Sequence, residues 1–326
     1  MIFYSLQEML LIIAAAIAID WIVGDPKWPT HPVIWIGRLI RRLERRLRPE
    51  GTAETEGRAR RAGVLLTLIT LAASFSAAWA VTALCAWVHP WLGYAASAWL
   101  VSTTIAVKGL KDAAMLVYKP LTQGKLEEAR TYAGHIVGRD TDRLTEGEAA
   151  RAAIETVAEN TVDALVSPLV FALLGAAPLA MLYRAANTLD SMVGYRNETY
   201  LHFGWCSART DDALNYVPAR LAGLLMVVSA ALLPRMSPVG ALRAVLRFAR
   251  KHPSPNSGIP ESAAAGAMGI ELGGLNYYFG RPSERARMGW PKRPIAPAHI
   301  LGAIRLLYAV SVCLWGGALI GWLIVT

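Results

Sequence analysis

Residues 63–88 read GVLLTLITLAASFSAAWAVTALCAWV and contain no Asp, Glu, Lys or Arg. A second charge-free stretch near the other end of the chain, residues 306–326, reads LLYAVSVCLWGGALIGWLIVT. A helix of about 20 apolar residues crosses the hydrocarbon core of a bilayer, and both stretches reach that length. They predict an integral membrane protein.

The composition of the whole chain supports this class. The 326 residues are 54% hydrophobic and only 17% charged, whereas a soluble domain carries more charge. Cys85, Cys206 and Cys313 lie far apart, which excludes a disulfide framework and a CxxC metal site. The net charge of +9 lies beside apolar segments without the spacing of a nucleic-acid-binding motif. We attribute it to membrane orientation and expect no nucleic-acid partner.

Hydropathy predicts an all-α fold, a polytopic membrane protein with about four to six spans and helical loops on the cytoplasmic side. Two of the segments, 164–186 and 217–234, contain or begin near prolines, which kink helices. These two are either full spans or re-entrant, broken helices. The candidate spans are residues 5–23, 63–88, 91–107, 164–186, 217–234 and 303–325.

The basic residues predict the orientation. Residues 24–62 hold ten Lys/Arg against five Asp/Glu, and residues 235–299 hold ten against three. By the positive-inside bias both segments face the cytoplasm together with 108–163, and both chain ends lie outside. We expect one integral membrane domain over residues 1–326. Re-entrant helices would keep residues 187–218 accessible from the cytoplasm.

Two stretches, 38–48 and 239–251, predict amphipathic helices on the membrane surface. Their arginines repeat at helical spacing opposite apolar residues. Such helices anchor to anionic headgroups, and the alternative is recruitment of an anionic ligand.

Polar clusters beside apolar segments are candidate sites, because unpaired charge is costly in a membrane. Gly24 and Pro26 predict a turn that presents Asp20, Asp25 and His31. The alternative is a helix-ending turn with solvated carboxylates.

The second cluster lies on a helix. Thr145-Glu146-Gly147-Glu148 matches a capping box, so a helix is expected over residues 146–163. It would place Glu155, Glu159 and Asp163 on one face. This face suits Mg²⁺, which takes one or two carboxylates plus phosphate oxygens; a solvated face is the alternative.

The third and fourth clusters are residues 184–220 and 252–280. In the third, arginines suit phosphate or carboxylate groups, and paired aspartates suit metal binding or proton transfer. In the fourth, a Pro/Ser turn precedes a helix of small residues, which either offers free amides to an anion or packs closely against another helix. The polar members of the third cluster are Asn187, Asp190, Arg196, Asn197, Arg209, Asp211, Asp212, Asn215 and Arg220.

These four clusters closely resemble the motifs of the adenosylcobinamide-phosphate synthase family of cobalamin biosynthesis (CobD/CbiB), in the family's order. Thr199 and Thr210 depart from the expected basic and apolar residues, which leaves the fine substrate preference open. The matching segments are Gly24-Asp25-Pro26 with His31-Pro32-Val33, residues 155–163 (ETVAENTVD), residues 187–195 (NTLDSMVGY), Ser207-Ala208-Arg209 with Asp211-Asp212 and Pro218-Ala219-Arg220, and residues 252–258 (HPSPNSG) with Pro260-Glu261.

The resemblance implies an ATP-dependent amide ligation at a bacterial inner membrane, with the active site facing the cytoplasm. The amine of (R)-1-aminopropan-2-ol O-phosphate would join a propionate carboxylate of adenosylcobyric acid, giving adenosylcobinamide phosphate. ATP and Mg²⁺ would activate that carboxylate as an acyl phosphate, and a carboxylate base would deprotonate the ammonium. The bilayer and other membrane-associated proteins of the pathway are the expected partners.

Within this scheme Glu155, Glu159 and Asp190 are the catalytic candidates, and Glu159, Asp163 and Asp190 the metal ligands. Two other functions fit the sequence. A transporter would need polar groups on a path to both faces, whereas here they cluster at one. A sensor of the related β-lactamase-induction group is the other, and the full set of acidic motifs favours catalysis. The expected substrate- and phosphate-binding residues are Asp25, His31, Asn187, Arg196, Arg209, Asp211, Asp212, Asn256, Ser257 and Glu261.

Overall fold

The computed structural model describes residues 4–24, 28–48, 55–195, 197–278 and 280–325. Helices dominate these segments, which confirms the predicted all-α membrane class. The chain divides into two compact units, which we describe separately; the prediction of one membrane domain with three cytoplasmic segments stays a prediction. The first unit comprises Met1–Ala106, Ser167–Asn215 and Trp315–Thr326, and the second comprises Val107–Val166 and Tyr216–Leu314.

The secondary structure follows the apolar segments and the turns of the sequence. A π-helical turn, Val162–Val166, joins the seventh helix to the eighth, and a 3₁₀ turn, Ala249–Lys251, follows the eleventh. The strands are β1 (Glu271–Tyr278) and β2 (Arg281–Gly289). The helices are α1 (Leu6–Ile22), α2 (Pro32–Leu47), α3 (Glu56–Val88), α4 (Pro90–Ser102), α5 (Val107–Thr122), α6 (Leu126–Gly134), α7 (Glu146–Thr161), α8 (Ser167–Val193), α9 (Trp205–Leu214), α10 (Tyr216–Leu232), α11 (Pro238–Phe248), α12 (Gly258–Met268) and α13 (Ala298–Val325).

Within the described residues, three helical stretches are long and apolar enough to cross a membrane, and the broken pair α9 and α10 would make a fourth. With the broken pair the count of four equals the lower end of the predicted range of four to six, and without it the count of three falls below that range. The predicted span over 91–107 is wrong in length, because α4 has 13 residues and ends at Ser102. The three stretches are Glu56–Val88, Glu146–Val193 and Ala298–Val325.

The predicted break within 164–186 is confirmed. Gly175 (φ −167°, ψ 37°) and Ala176 (φ 50°, ψ −145°) leave the helical conformation inside α8. Pro178 follows two residues later, and a proline lacks the N–H that continues a helix and clashes with the preceding turn. The chain therefore opens just before the proline and resumes the helix after it.

In the first unit, α2 and α3 pack against α8 through an apolar core. The backbones approach closely at Gly63, where a Cβ would lie 1.8 Å from the carbonyl oxygen of Phe203. One turn further along α3, the hydroxyl groups of Thr67 and Ser207 lie 3.0 Å apart and tie α3 to α9. The core residues are Ile36, Ile40, Leu66, Ala185, Leu189, Val193 and Phe203.

In the second unit, the helix of small residues, α12, is buried along its whole length. Helix α11 lies against it, and a Cβ at Gly266 would lie 2.3 Å from the carbonyl oxygen of Gly240. This contact confirms the close-packing interpretation of the small residues, because only glycine lets two helix backbones approach so closely.

The second unit also contains an antiparallel hairpin, which the sequence did not predict. Strands β1 and β2 pair from Glu271↔Gly289 to Tyr278↔Arg281, with a bulge between Leu272 and Gly274. Gly273 and Gly274 both have positive φ, 82° and 85°, a conformation that glycine adopts readily. The hairpin adds a small β element to the predominantly helical chain.

Candidate active site

Helix α7 begins at the predicted capping box. The Thr145 hydroxyl accepts from the Glu148 backbone N–H at 3.3 Å, and the Glu148 carboxylate accepts from the Thr145 N–H at 2.8 Å. The box satisfies amide groups that the first turn of a helix leaves free. Helix α7 therefore includes both Glu155 and Glu159, which are four residues apart and so lie on one face.

Glu155 is buried, and both of its carboxylate oxygens accept hydrogen bonds. The Gly273 N–H donates to Oε1 and Arg139 Nη1 donates to Oε2, each at 2.8 Å. Arg139 also donates to Asn276 Oδ1 at 2.7 Å, and Arg151 donates to the same oxygen at 2.9 Å. The carboxylate therefore fastens β1 to α7. This is a structural role for Glu155, and its catalytic role stays a prediction.

Glu159, one turn further along α7, accepts a hydrogen bond at only one of its two oxygens among the described residues. Its Oε1 accepts from the Ser257 hydroxyl at 2.8 Å. Ser257 precedes the first residue of α12, yet its side chain makes no capping hydrogen bond there. The contact orients the Glu159 carboxylate and uses one oxygen, so the second can take a proton or contribute to a metal ion.

Glu261, in the first turn of α12, is only 2% exposed. His252 Nε2 lies 3.9 Å from its Oε1, and His252 Nδ1 accepts from the Ser254 N–H at 3.0 Å. Burial, then the charges of Glu155 and Glu159, raise the pKa of Glu261 well above its ordinary value. Burial lowers the pKa of His252. Both shifts favour neutral side chains, which suits groups that take up and return protons.

A cavity of about 570 Å³ opens beside His252 and carries positive charge. Arg220 and Arg250 line it. Arg220 lies over the Tyr216 ring, 3.4 Å from its centroid, and donates to Asn256 Oδ1 at 3.3 Å. Because a guanidinium group so held presents planar donors to phosphate or carboxylate oxygens, the cavity can take an anionic group.

Asp211 lies at the centre of a polar cluster in the first unit. Asn187 Nδ2 donates to its Oδ1 at 3.4 Å, and Asn215 Nδ2 donates to its Oδ2 at 3.0 Å. Asn215 Oδ1 in turn accepts from the hydroxyls of Ser167, at 2.5 Å, and Tyr183, at 2.8 Å. The hydroxyls fix the amide of Asn215, and the amide orients the carboxylate.

Asp190 and Asp212 lie close enough to Asp211 for their charges to act on it. Grouped carboxylates of this kind suit proton transfer or a shared cation. Among the described residues, however, no three His, Cys, Asp or Glu side chains come together tightly enough to hold a metal ion. A cation here would therefore need further ligands from a substrate.

The structure also describes three further predicted site residues, His31, Asp163 and Arg209. His31 is buried and caps α2, because its Nδ1 accepts from the Val33 N–H at 3.3 Å. Asp163 lies in the π-helical turn after α7, and Arg209 is exposed on α9. Asp25 and Arg196 fall outside the described residues.

A family model described as "CobD/Cbib protein" matches residues 13–307. The chain belongs to the CobD/CbiB family. It is 48% identical, over 92% of both chains, to the "Cobalamin biosynthesis protein CobD" of Geobacter metallireducens and to that of Halalkalibacterium halodurans. It is 45% identical to the "Cobalamin biosynthesis protein CbiB" of Salmonella typhimurium, over 90% of this chain and 91% of that one. No solved structure matches it.

In this CobD/CbiB chain the predicted residues form two groups. The second unit joins Glu155, Glu159, Asn256, Ser257 and Glu261, and the first joins Asn187, Asp190, Asp211 and Asp212.

Three residues of the second-unit group were missing from the sequence-based prediction. His252 stands in a matched motif, and its position before the Pro/Ser turn could have indicated it. Arg139 and Asn276 are 137 positions apart, and no local pattern links them. The only sequence clue was the run of carboxylates on α7, which required buried cations as partners.

Proposed function

We propose that this CobD/CbiB protein is adenosylcobinamide-phosphate synthase. It would join (R)-1-aminopropan-2-ol O-phosphate to adenosylcobyric acid by ATP-dependent amide ligation. The names of its relatives support the pathway, and the motifs on α7, α8 and α12 support the reaction. The observation that carries the proposal is the group of buried Glu261 and half-buried Glu159, Ser257 and His252 beside the arginine-lined cavity.

The reaction needs two steps. In the first, a propionate carboxylate oxygen attacks the terminal phosphorus of ATP, so that a P–O bond forms and ADP leaves. In the second, the amine attacks the acyl carbon, an amide bond forms and inorganic phosphate leaves. The ammonium group must lose a proton before it can attack, so the site requires a base and a path for that proton.

The residues of the second unit supply these functions. Arg220 and Arg250 would bind the phosphate of the amine substrate in their cavity. Glu159, held by Ser257, would accept the proton of the ammonium group at its second oxygen. His252 would then take the proton onward, because burial favours its neutral form, which can accept a proton. Burial keeps Glu261 protonated, so its carboxyl group can donate a proton but cannot accept one.

The residues also fit Mg²⁺. Its shell usually contains one or two carboxylates, with water and substrate phosphates completing it, so no all-protein cage is required. Glu159 and Asp163, both in the second unit, are the carboxylates that would hold it; Asp190 belongs to the separate group of the first unit. When bound, the ion neutralises charge on the phosphoryl group being transferred.

We place the reaction at the cytoplasmic side of the inner membrane, where ATP is available. The support is the excess of Lys/Arg in residues 24–62 and 235–299. Residue 252 and the rest of the fourth cluster lie within the second of these segments.

Assay of the purified full-length protein in detergent tests the proposal. ATP should be consumed only when adenosylcobyric acid and the amine are both present, with one amide product, identified by mass spectrometry, per ATP. A transporter or a sensor would form no amide. ATP turnover that depends on neither substrate, or that yields no amide, would contradict the proposal.

A further inference from the structure

A second cavity, of about 540 Å³, runs along α3 in the first unit. Most of its lining is apolar, and none of its residues belongs to the groups of carboxylates described above. Ala73, Ala77 and Val81 of α3 line one side, and Arg38 and Arg42 of α2 line the other. Its volume lies in the range of about 300–1,000 Å³ that is usual for small-molecule sites.

Small side chains on α3 create this groove. Ala73 and Ala77 are exposed and leave a depression along the helix. The same helix is a candidate membrane span and exposes the large side chains of Leu68, Leu84 and Trp87. An apolar groove on a helix that faces lipid is filled by acyl chains, because water gains no hydrogen bonds there.

The α2 side of the groove is suited to an anionic headgroup. Arg38 and Arg42 are exposed and one helical turn apart, so both can reach one phosphate. Arg38 lies over the ring of Trp35, 5.5 Å from its centroid. Tryptophan and arginine side chains together are typical of the membrane–water interface, where anionic lipids attract basic residues.

We propose that this groove binds one anionic phospholipid molecule. An acyl chain would lie between α2 and α3, and the phosphate would contact Arg38 and Arg42. The bound lipid would hold the amphipathic helix α2 against the span α3. This site is independent of the proposed ligation chemistry, since it shares no residue with it.

Lipid retention can be measured directly. The full-length protein, stripped of lipid in detergent, is titrated with phosphatidylglycerol or phosphatidylcholine of the same acyl chains, and bound lipid is counted by native mass spectrometry. One phosphatidylglycerol should be retained in preference to phosphatidylcholine. Arg38→Gln/Arg42→Gln should weaken its retention by about tenfold or more, because each cation contributes separately to headgroup binding.

Two matched controls separate the groove from general surface charge. Arg45→Gln/Arg46→Gln removes the same charge from the same helix but does not line the groove, so retention should stay within about twofold of wild type. Ala77→Leu should fill the groove and abolish retention, whereas Ala80→Leu, exposed on α3 outside the groove, should not. Both alanines are exposed, so neither change disturbs the core.

Three results would overturn the proposal. Equal loss in the two double-arginine variants would indicate diffuse attraction to the helix surface. Equal retention of both lipids would exclude headgroup recognition. If adenosylcobyric acid displaces phosphatidylglycerol, and if Ala77→Leu weakens the binding of both molecules equally, the groove is a substrate site.

Discussion

Glu155 and Glu159 stand one turn apart on α7, yet their partners differ. Both oxygens of Glu155 are occupied, by the Gly273 N–H and by Arg139. Oε1 of Glu159 accepts from Ser257, and within the part of the chain that the structure describes its other oxygen accepts no hydrogen bond. A general base needs an open oxygen within reach of the proton it accepts. At the residue scale, Glu159 is therefore the better candidate for the base, although sequence spacing made the two equivalent.

Replacing Glu159 by glutamine tests this assignment. Glu159→Gln keeps the shape and can still accept the Ser257 hydrogen bond, but it cannot take the proton and it has no negative charge to attract a cation. Amide formation should fall by at least about 10²-fold, with the thermal midpoint little changed. Glu128→Gln, an exposed carboxylate on α6, is the control and should ligate normally. Normal ligation by Glu159→Gln would show that Glu159 is not the base.

Glu261 predicts a pH-dependent stability. Its raised pKa means that the folded state keeps a proton that the unfolded state releases above about pH 4.3. The contribution of Glu261 to the free energy of unfolding is thus complete below that pH and is lost as the pH rises through the raised pKa. Glu261→Gln has no proton to lose, so its thermal midpoint relative to wild type should rise from pH 5 to pH 7.

The difference in thermal midpoint between Glu261→Gln and wild type separates the effect of Glu261 from that of its neighbour, His252. His252 has the opposite sign, because its lowered pKa gives a contribution that is lost as the pH falls below about 6.5. His252 is present in both proteins, so its slope largely cancels in the difference. A midpoint difference that stays constant between pH 5 and pH 7 would show that Glu261 is ionised in the folded protein.

The sequence predicted the carboxylates of the site, with Asn256 and Ser257, but it did not predict Arg139, Asn276 and His252. Glu159, Ser257 and Glu261 stand in local motifs, so a pattern could indicate them. Arg139 could not be found in this way, because its contact with Glu155 depends on a loop closing back onto α7. Nor could spacing show that Glu155 is saturated, since this depends on the Gly273 N–H, 118 positions away.

At the scale of elements, a buried ion pair beside the hairpin helps to hold it to α7, because Glu155 bonds Gly273 and Arg139 bonds Asn276 of β1. Arg139 and Glu155 lie 2.8 Å apart, with side chains only 4% and 10% exposed. Removing one partner of such a pair leaves a buried charge without compensation, at a cost of about 3–5 kcal/mol. Glu155→Gln would also turn an amide N–H towards Arg139 or Gly273, so one hydrogen bond must be lost.

Glu155→Gln should therefore lower the free energy of unfolding by about 3 kcal/mol, measured by thermal denaturation in detergent. The chain offers an exposed pair of the same type as a control. Glu127 pairs with Arg130 on α6 with its side chain 84% exposed, so Glu127→Gln should cost no more than about 1 kcal/mol. Loss of ligation without loss of stability in Glu155→Gln would support the catalytic role instead.

The contact between α11 and α12 predicts a second difference in stability. Gly266→Ala would place a methyl group 2.3 Å from the Gly240 carbonyl oxygen and 2.6 Å from the Ala244 Cβ. The helices would have to separate, which should cost about 1–3 kcal/mol. Gly317→Ala on α13 meets no atom within 4 Å and should be neutral or stabilising by up to about 1 kcal/mol. Equal thermal midpoints for the two variants would show that the helices do not pack this closely.

Most elements could be predicted, because apolar runs, caps and prolines are local signals. The capping box at Thr145 and the proline at 178 each marked a boundary that the structure has. The sequence did not predict the hairpin, because β1 has no alternation of apolar and polar residues. Its sequence ELGGLNYY instead contains two glycines at positive φ, and the fold of the strand depends on a bulge and on distant partners.

At the scale of the whole molecule, the pair α9 and α10 decides the topology. If the pair spans the membrane, the loop before α9 faces outside. If it re-enters, residues 187–218 stay accessible from the cytoplasm, where the proposed reaction needs ATP. The break between the two helices and the break within α8 occur in broken spans as well as in re-entrant segments. We expect the re-entrant arrangement because the proposed reaction needs ATP at these residues.

Cysteine labelling distinguishes the two arrangements. In a variant with the three native cysteines replaced by alanine, Asn197→Cys should react with a membrane-impermeant maleimide only after the cytoplasmic side is exposed. Glu128→Cys, in the segment 108–163, is the cytoplasmic reference, and Thr326→Cys is the outside reference, because the basic segments place the C-terminus outside. If Asn197→Cys reacts in intact cells as Thr326→Cys does, the pair crosses the membrane and a full span replaces the re-entrant arrangement. ATP would then have to reach the carboxylates of α8 and α9 through the interior of the protein, because the loop before α9 would face outside.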